Sequence, residues 1–239
     1  VSQLLGRGES FGRLGFGVPY AKACYPFWIW WSQLLLTGFE PGDVFLNGPD
    51  CGDVPIPMAH NALVRRFLES EADTLCILED DHSGDRETIR RLRSNPANLD
   101  FDIVCANYVN RRPPIRIIGG DLGEANAYGE VTWHSDQLAV PRTGTQAVDC
   151  AALGLVLIRR WVLQAMVGGD DPDEYFWFEW RGRNSQDIQF YRMARLVGAR
   201  VGVDRECGIA HWGQYAFTVE QFYKLQEAAR KEQEVKGNV

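Results

Sequence analysis

Apolar residues fall into two kinds of run along the chain. Largely apolar stretches of strand length occupy 14–18, 43–47, 74–78, 101–106, 153–158 and 199–203; a strand buried on both faces reads as continuous hydrophobicity rather than alternation. Between them lie stretches of helical period. Residues 25–37 are rich in Trp and Phe, end at Gly38 and read as a core-facing helix. Residues 58–71 are amphipathic, with Leu63, Val64, Phe67 and Leu68 on one face and Arg65, Arg66 and Glu69 elsewhere. Shorter helices are predicted over 86–93, which Ser83-Gly84-Asp85 could cap and Asn95-Pro96 stops, and over 159–166, ending at Gly168-Gly169. Ser185 reads as the N-cap of a helix running to Val197, and Thr218 with Gln221 as the capping box of a final helix whose charged tail frays after Ala229. Strand and helix alternate as far as residue 106, which predicts a parallel, doubly wound α/β sheet. The glycine-rich stretch 115–145 breaks that rhythm and reads as irregular strands or a flap.

Composition narrows the class. A chain of 239 residues with 45% hydrophobic and 24% charged content suits one soluble globular domain with a sizeable core. A net charge of -7 argues against wrapping a nucleic-acid backbone, which needs surplus Lys and Arg. Six cysteines without a C-x-x-C pair suggest neither a zinc ribbon nor a redox dithiol, and Cys76 and Cys105 inside strand runs read as buried thiols. A reducing, cytoplasmic setting follows, and no apolar run reaches the ~18 residues of a membrane span. No signal peptide or internal repeat is visible.

The chemistry gathers at the end of the third strand. Glu79, Asp80, Asp81 and His82 follow the run at 74–78, and ligands of open α/β sheets sit at carboxyl ends of strands. Three carboxylates there repel one another, and either a divalent cation or plain solvation relieves them. His60 and Asn61 begin the helix that leads into this strand, and Arg111 and Arg112 offer anion donors. Asp149 precedes the strand at 153–158. Acids and rings crowd 170–183, among them Trp177 and Trp180, a mixture that suits sugars and equally suits simple packing. Asp187 lies in the first turn of its helix, where the dipole alone favours it. Gly15-x-Gly17 matches a dinucleotide fingerprint only in part, because Tyr20 stands at the third glycine.

Taken together these segments resemble the GT-A glycosyltransferases, in particular small bacterial and phage-type enzymes related to the large inverting family, over about 14–222. Ala59-His60-Asn61 is similar to the family's A-R-N helix start, with His for Arg. Glu79-x-Asp81 resembles the D-x-D strand end, and Asn110 to Pro114 the R-x-P-P turn. Val148-Asp149 through Arg160 resembles the V-D and G-x-x-L-I-R-R segment, Gln186-Asp187-Ile188 the E-D-I-x-F segment, and 207–213 the late H-x-G. The resemblance implies a single GT-A catalytic domain, mainly parallel in its sheet, over 1–239. Its nucleotide-sugar half spans about 14–110, its acceptor and metal half about 111–222, and a charged tail 230–239. It implies Asp81 and His211 as ligands of Mn²⁺ or Mg²⁺ and Asp187 as catalytic base. Pro19, Tyr20, Asp50, His60, Asn61, Glu79, Asp80, Arg111 and Arg112 fall on the donor side, and Asp149, Trp177 and Trp180 on the acceptor side. The implied reaction moves a hexose from a UDP-sugar such as UDP-glucose to an acceptor hydroxyl with inversion, the acceptor being a glycan, a protein side chain or a hydroxymethylated DNA base. Two other classes stand beside it, a sugar-1-phosphate nucleotidyltransferase and a noncatalytic nucleotide-sugar or glycan-binding module.

Overall fold

The structure is a computed structural model describing residues 10–20, 23–111, 114–124, 126–127, 130–136, 140–167, 175–181, 184–213 and 216–237, the side chains of 229 and 232–237 excepted. In chain order the elements are β1 (Leu14–Gly17), α1 (Tyr25–Thr37), β2 (Val44–Phe45), α2 (Ile56–Glu69), β3 (Thr74–Leu78), β4 (His82–Ser83), α3 (Thr88–Ser94) and β5 (Ile103–Asn107). There follow β6 (Asp121–Leu122), β7 (Trp133–His134), β8 (Thr145–Val148), β9 (Leu155–Arg159), α4 (Arg160–Val167), α5 (Gln186–Leu196), β10 (Val201–Gly208), β11 (Ala210–Trp212), β12 (Ala216–Phe217) and α6 (Val219–Gly237).

Seven strands form the central sheet in the order β2-β1-β3-β9-β5-β10-β8. Strands β2, β1 and β3 are parallel, as are β5 and β10, whereas β9 runs antiparallel between β3 and β5 and β8 antiparallel to β10. The sequence rhythm gives no warning of the reversed β9. A parallel return needs a crossover, usually a helix; among the described residues of 108–154 there is none, so the chain re-enters the sheet from the edge it left.

Alternate residues of β3 feed the two cores. Leu75 and Ile77 pack with α2, α4 and α5, and Cys76 and Leu78 with α1 and α3. Helix α2 presses closely on β1: a Cβ at Gly17 would stand 2.5 Å from Leu63 Cδ2, and one at Gly15 3.0 Å from Phe67 Cδ2. The Gly-x-Gly pair is therefore a packing device. Leu63, Val64 and Phe67 are fully buried on that contact, each stabilising the fold by about 1.5–3 kcal/mol. The far end of α2 is closed by Arg160, whose guanidinium donates to the carbonyls of Phe67, Leu68, Ser70 and Ala72.

Helix α1 departs from expectation on its outer side. Phe27, Trp30 and Leu34 face the core, but Tyr25 is 77% and Leu36 84% exposed. All six cysteines carry free thiols. The reciprocal capping box is present: Gln221 N donates to Thr218 Oγ1 and Thr218 N to Gln221 Oε1. Among the described residues no helix is long and apolar enough to cross a membrane.

Candidate active site

Strand β3 delivers Glu79–Asp81 to the carboxyl edge of the sheet, and β10 delivers the late histidine. Strand β10 follows β5 residue for residue to Asp204, then skips register so that Gly208 pairs with Asn107. Asp204 Oδ1 holds the bulge by accepting the N–H groups of Glu206 and Cys207. The redirected chain enters β11, which pairs antiparallel with β4 and sets His211 directly across from His82. Their rings stack at 4.3 Å and 15°, with Tyr108 edge-on to His82 at 4.5 Å. Gly154 leaves the space that His82 fills, since a Cβ there would lie 2.5 Å from His82 Nε2.

Asp81 stands between the histidines. His82 Nδ1 is 2.8 Å from its Oδ1, and His211 Nε2 is 3.4 Å from its Oδ2. His211 Nδ1 lies 2.9 Å from the Val109 carbonyl, an acceptor only, so this nitrogen carries a proton. Arg111 Nη1 also contacts Asp81 Oδ2 and reaches Trp212 O at 3.4 Å. Burial works against ionisation of Asp81, but the hydrogen bonds from His211 and His82 outweigh it, and its carboxyl titrates below the ordinary range. Burial pushes His82 the other way, down to about 4 against the pull of Asp81, which makes it a neutral imidazole.

Glu79 differs from Asp81 two residues later. Burial, then the charges of Asp81, Asp187 and Asp80, push its carboxyl well above the usual range. Its two oxygens lie 3.9 Å from His60 Nε2 and 4.0 Å from His82 Nδ1. His60 is wholly buried, and burial drives its imidazole to about 3, against a hydrogen bond with Gln186. Three of the chain's four histidines thus surround this strand end.

Asp187 opens α5 and lines a small cleft of ≈ 100 Å³ with Trp133, Cys150, Ala152 and Ser185. Burial raises its carboxyl, opposed by its own backbone N–H and by Ser185. Ser185 occupies the N-cap position without making the expected side-chain cap bond; its hydroxyl serves Asp187 instead.

On the donor side, Tyr20 is clipped to the 3-10 turn at Pro49–Cys51, donating its N–H to Cys51 O at 3.1 Å, and Pro19 beside it is buried. Tyr20 also borders an aromatic cavity of ≈ 350 Å³ walled by Phe27, Trp28, Trp31 and Phe45. The Asp50 carboxylate is taken by Arg66 at 2.8 Å, which lowers its pKa. Asp80 ties the strand end to α1 through its carbonyl, which accepts the Cys24 N–H at 3.0 Å.

Several expected ligand contacts prove to be architecture. Asn61 is 1% exposed; its amide donates to Phe178 O at 2.7 Å and accepts from the N–H groups of Trp177 and Phe178 at 2.9 and 3.1 Å. It staples a wall segment and has no reach toward a donor. His60, equally buried, touches Glu79 rather than the cavity. Trp177 is corrected from acceptor side to core, at 1% exposure with its indole N–H given to Leu163 O. Trp180 is 63% exposed. Asp149 is held by Arg195 at 2.8 Å and by Leu122 N at 3.0 Å, which anchors β6. Arg112 and residues 168–174 lie outside the described residues. Among functional candidates the sequence reading passed over, His82 was in view within the acidic motif but had no assigned role; Tyr108 carried no signal at all.

The donor set fits a divalent cation. One ligand atom each from Asp81, His82 and His211 lies within 4.8 Å of the others, His82 Nε2 is buried without a hydrogen-bond partner, and oxygen plus imidazole is a Mn²⁺-type combination.

No protein-family model matches the chain, and no curated protein does. Among solved structures, A197 from STIV superposes with a TM-score of 0.52 at 14% identity, over 84% of this chain and 86% of that one. GalNAc-T7 with UDP, GalNAc and Mn²⁺ gives a TM-score of 0.47 at 13% identity, over 84% of this chain and 43% of that one. The match to A197 speaks for a shared fold and for nothing finer. That fold is mixed α/β, a mostly parallel seven-stranded sheet between helices.

Proposed function

We propose that the chain is a metal-dependent glycosyltransferase that moves a hexose from a UDP-sugar to an acceptor hydroxyl with inversion. The observation that carries this reading is the meeting of Asp81 Oδ2 and His211 Nε2 at 3.4 Å, from positions 130 residues apart, with the other ring nitrogen of His211 held by the Val109 carbonyl. Asp81, His211 and His82 would hold the cation. When bound, it neutralises the charge that builds on the diphosphate oxygen as the sugar leaves.

The remaining work falls to side chains. Asp187 takes the acceptor's proton while the acceptor oxygen bonds to the sugar's anomeric carbon and the bond from that carbon to the diphosphate breaks. Its raised pKa strengthens it as a base, and the helix N-terminus keeps it charged. Glu79, its carboxyl pushed well above the usual range by burial and then by Asp81, Asp187 and Asp80, would hydrogen-bond hydroxyls of ribose or sugar. Tyr20 and the aromatic cavity beside it offer ring faces for a nucleobase. Trp180, 63% exposed, would offer its ring to the acceptor.

Calorimetry with UDP, with and without Mn²⁺, followed by a donor-hydrolysis assay, tests the reading. Cation-dependent UDP binding and slow hydrolysis are expected. UDP binding that ignores Mn²⁺ and survives Asp81→Ala would sink it. A screen of labelled nucleotide sugars against glycan, protein and hydroxymethylated DNA acceptors then identifies the pair.

A further inference from the structure

We propose that Arg111 is the resident counter-cation of this site: it occupies Asp81 Oδ2 until a divalent cation takes that oxygen, and the freed guanidinium then pairs with the incoming diphosphate. This rests on the metal-dependent reading above.

The two oxygens of Asp81 are not equivalent. Oδ1 is held by the buried His82 at 2.8 Å. Oδ2 lies 3.4 Å from His211 Nε2. Arg111 Nη1 contacts the same oxygen. A divalent cation held by Asp81 Oδ2 and His211 would stand beside the guanidinium with charge of the same sign, and that repulsion drives Arg111 from its place on the oxygen.

The surroundings suit a side chain that changes partner. The backbone of the Arg111 turn is pinned by Asn110, whose side chain donates to Pro114 O at 3.2 Å and accepts from Arg116 N at 2.7 Å. The guanidinium itself is anchored lightly: beyond Asp81 it has Trp212 O at 3.4 Å, and the side chain is 45% exposed. Swinging away breaks one ion pair and no packing of consequence. A guanidinium is a planar fork matched to phosphate oxygens, so a diphosphate arriving on the cation meets a donor just released beside it. Cation and nucleotide then favour each other, and by linkage each raises the other's affinity by the same factor.

The test is titration of the protein with Mn²⁺ alone, followed by electron paramagnetic resonance, on the wild type, Arg111→Gln, Arg111→Lys and Asp81→Ala, repeated at saturating UDP. Circular dichroism checks that the variants fold. Arg111→Gln is expected to bind Mn²⁺ alone about fivefold more tightly than the wild type, the worth of a partly exposed ion pair. Arg111→Lys, which keeps the charge, stays near the wild type. With UDP present the order reverses, and Arg111→Gln loses most of the coupling between cation and nucleotide. Equal or weaker Mn²⁺ binding by Arg111→Gln, with Asp81→Ala still abolishing it, would overturn the Arg111 proposal and leave the metal site standing. Absence of Mn²⁺ binding in every form, Arg111→Gln included, would overturn both.

Discussion

Two polar regions meet at the carboxyl edge of the sheet and differ in how their hydrogen bonds are spent. The side-chain polar atoms of Asn61 and Trp177 are used inside the protein, on Phe178, on Leu163 and on the backbone of the wall segment. Around Asp81, His82 and His211 the groups face one another, with His82 Nε2 lacking a partner and a carboxylate shared by three cationic or imidazole neighbours. Saturated polar groups hold a fold together; converging unsaturated ones are available to a ligand. Burial alone does not distinguish them, since Asn61 and His82 are equally hidden.

The largest effect expected from this contrast is on the reaction. Asp187→Asn keeps the shape of the cleft and removes the proton acceptor, so transfer falls by about 10²–10⁴-fold while UDP affinity is unchanged; undiminished transfer eliminates Asp187 as base. Next comes the cation. Removing an outer-shell partner commonly costs 10–100-fold in metal affinity, so loss of Asp81 or His211 should cost about 100-fold or more, read by Mn²⁺ titration, with little change in melting temperature.

Asn61→Ala should show the reverse pattern. Three buried backbone groups lose their partner, at a cost of about 2–4 kcal/mol, visible in chemical denaturation, whereas Mn²⁺ affinity holds. A loss of Mn²⁺ binding without loss of stability would erase the distinction between the regions. His60 gives a pH signature. Its folded pKa of about 3 lies below the unfolded 6.5, so the unfolded chain binds more protons between those values. Its contribution is present above pH 6.5 and is lost as pH falls toward 3, by up to about 1.4 kcal/mol per pH unit. His60→Gln should flatten that slope. The smallest effect belongs to Trp180→Ala, exposed and outside both regions: stability within about 0.5 kcal/mol, with only the Michaelis constant for the acceptor rising.

Much of the scaffold was legible because its signals are local. Thr74–Leu78 and Tyr25–Thr37 have the bounds their apolar runs predict, and the Thr218–Gln221 box closes as its spacing requires. The resemblance to GT-A enzymes also paired Asp81 with His211, which the structure brings together. Motif membership misled where a residue type serves packing as readily as chemistry. Asn61 and Trp177 were placed on ligand surfaces and belong to the wall, and Arg160 of the I-R-R segment closes the end of α2.

By itself the sequence determined the main strands and helices, the Thr218–Gln221 box, and that an acidic strand end would need positive charge nearby, since these follow from hydrophobic period, local capping chemistry and Coulomb repulsion among neighbours. Only the tertiary structure decided the direction of β9, the bulge that turns β10 into β11, the stacking of His211 on His82, and the choice of Arg111 as the charge that answers Asp81. Those outcomes depend on contacts between residues far apart in the chain, and no local pattern encodes which distant groups a closed core will press together.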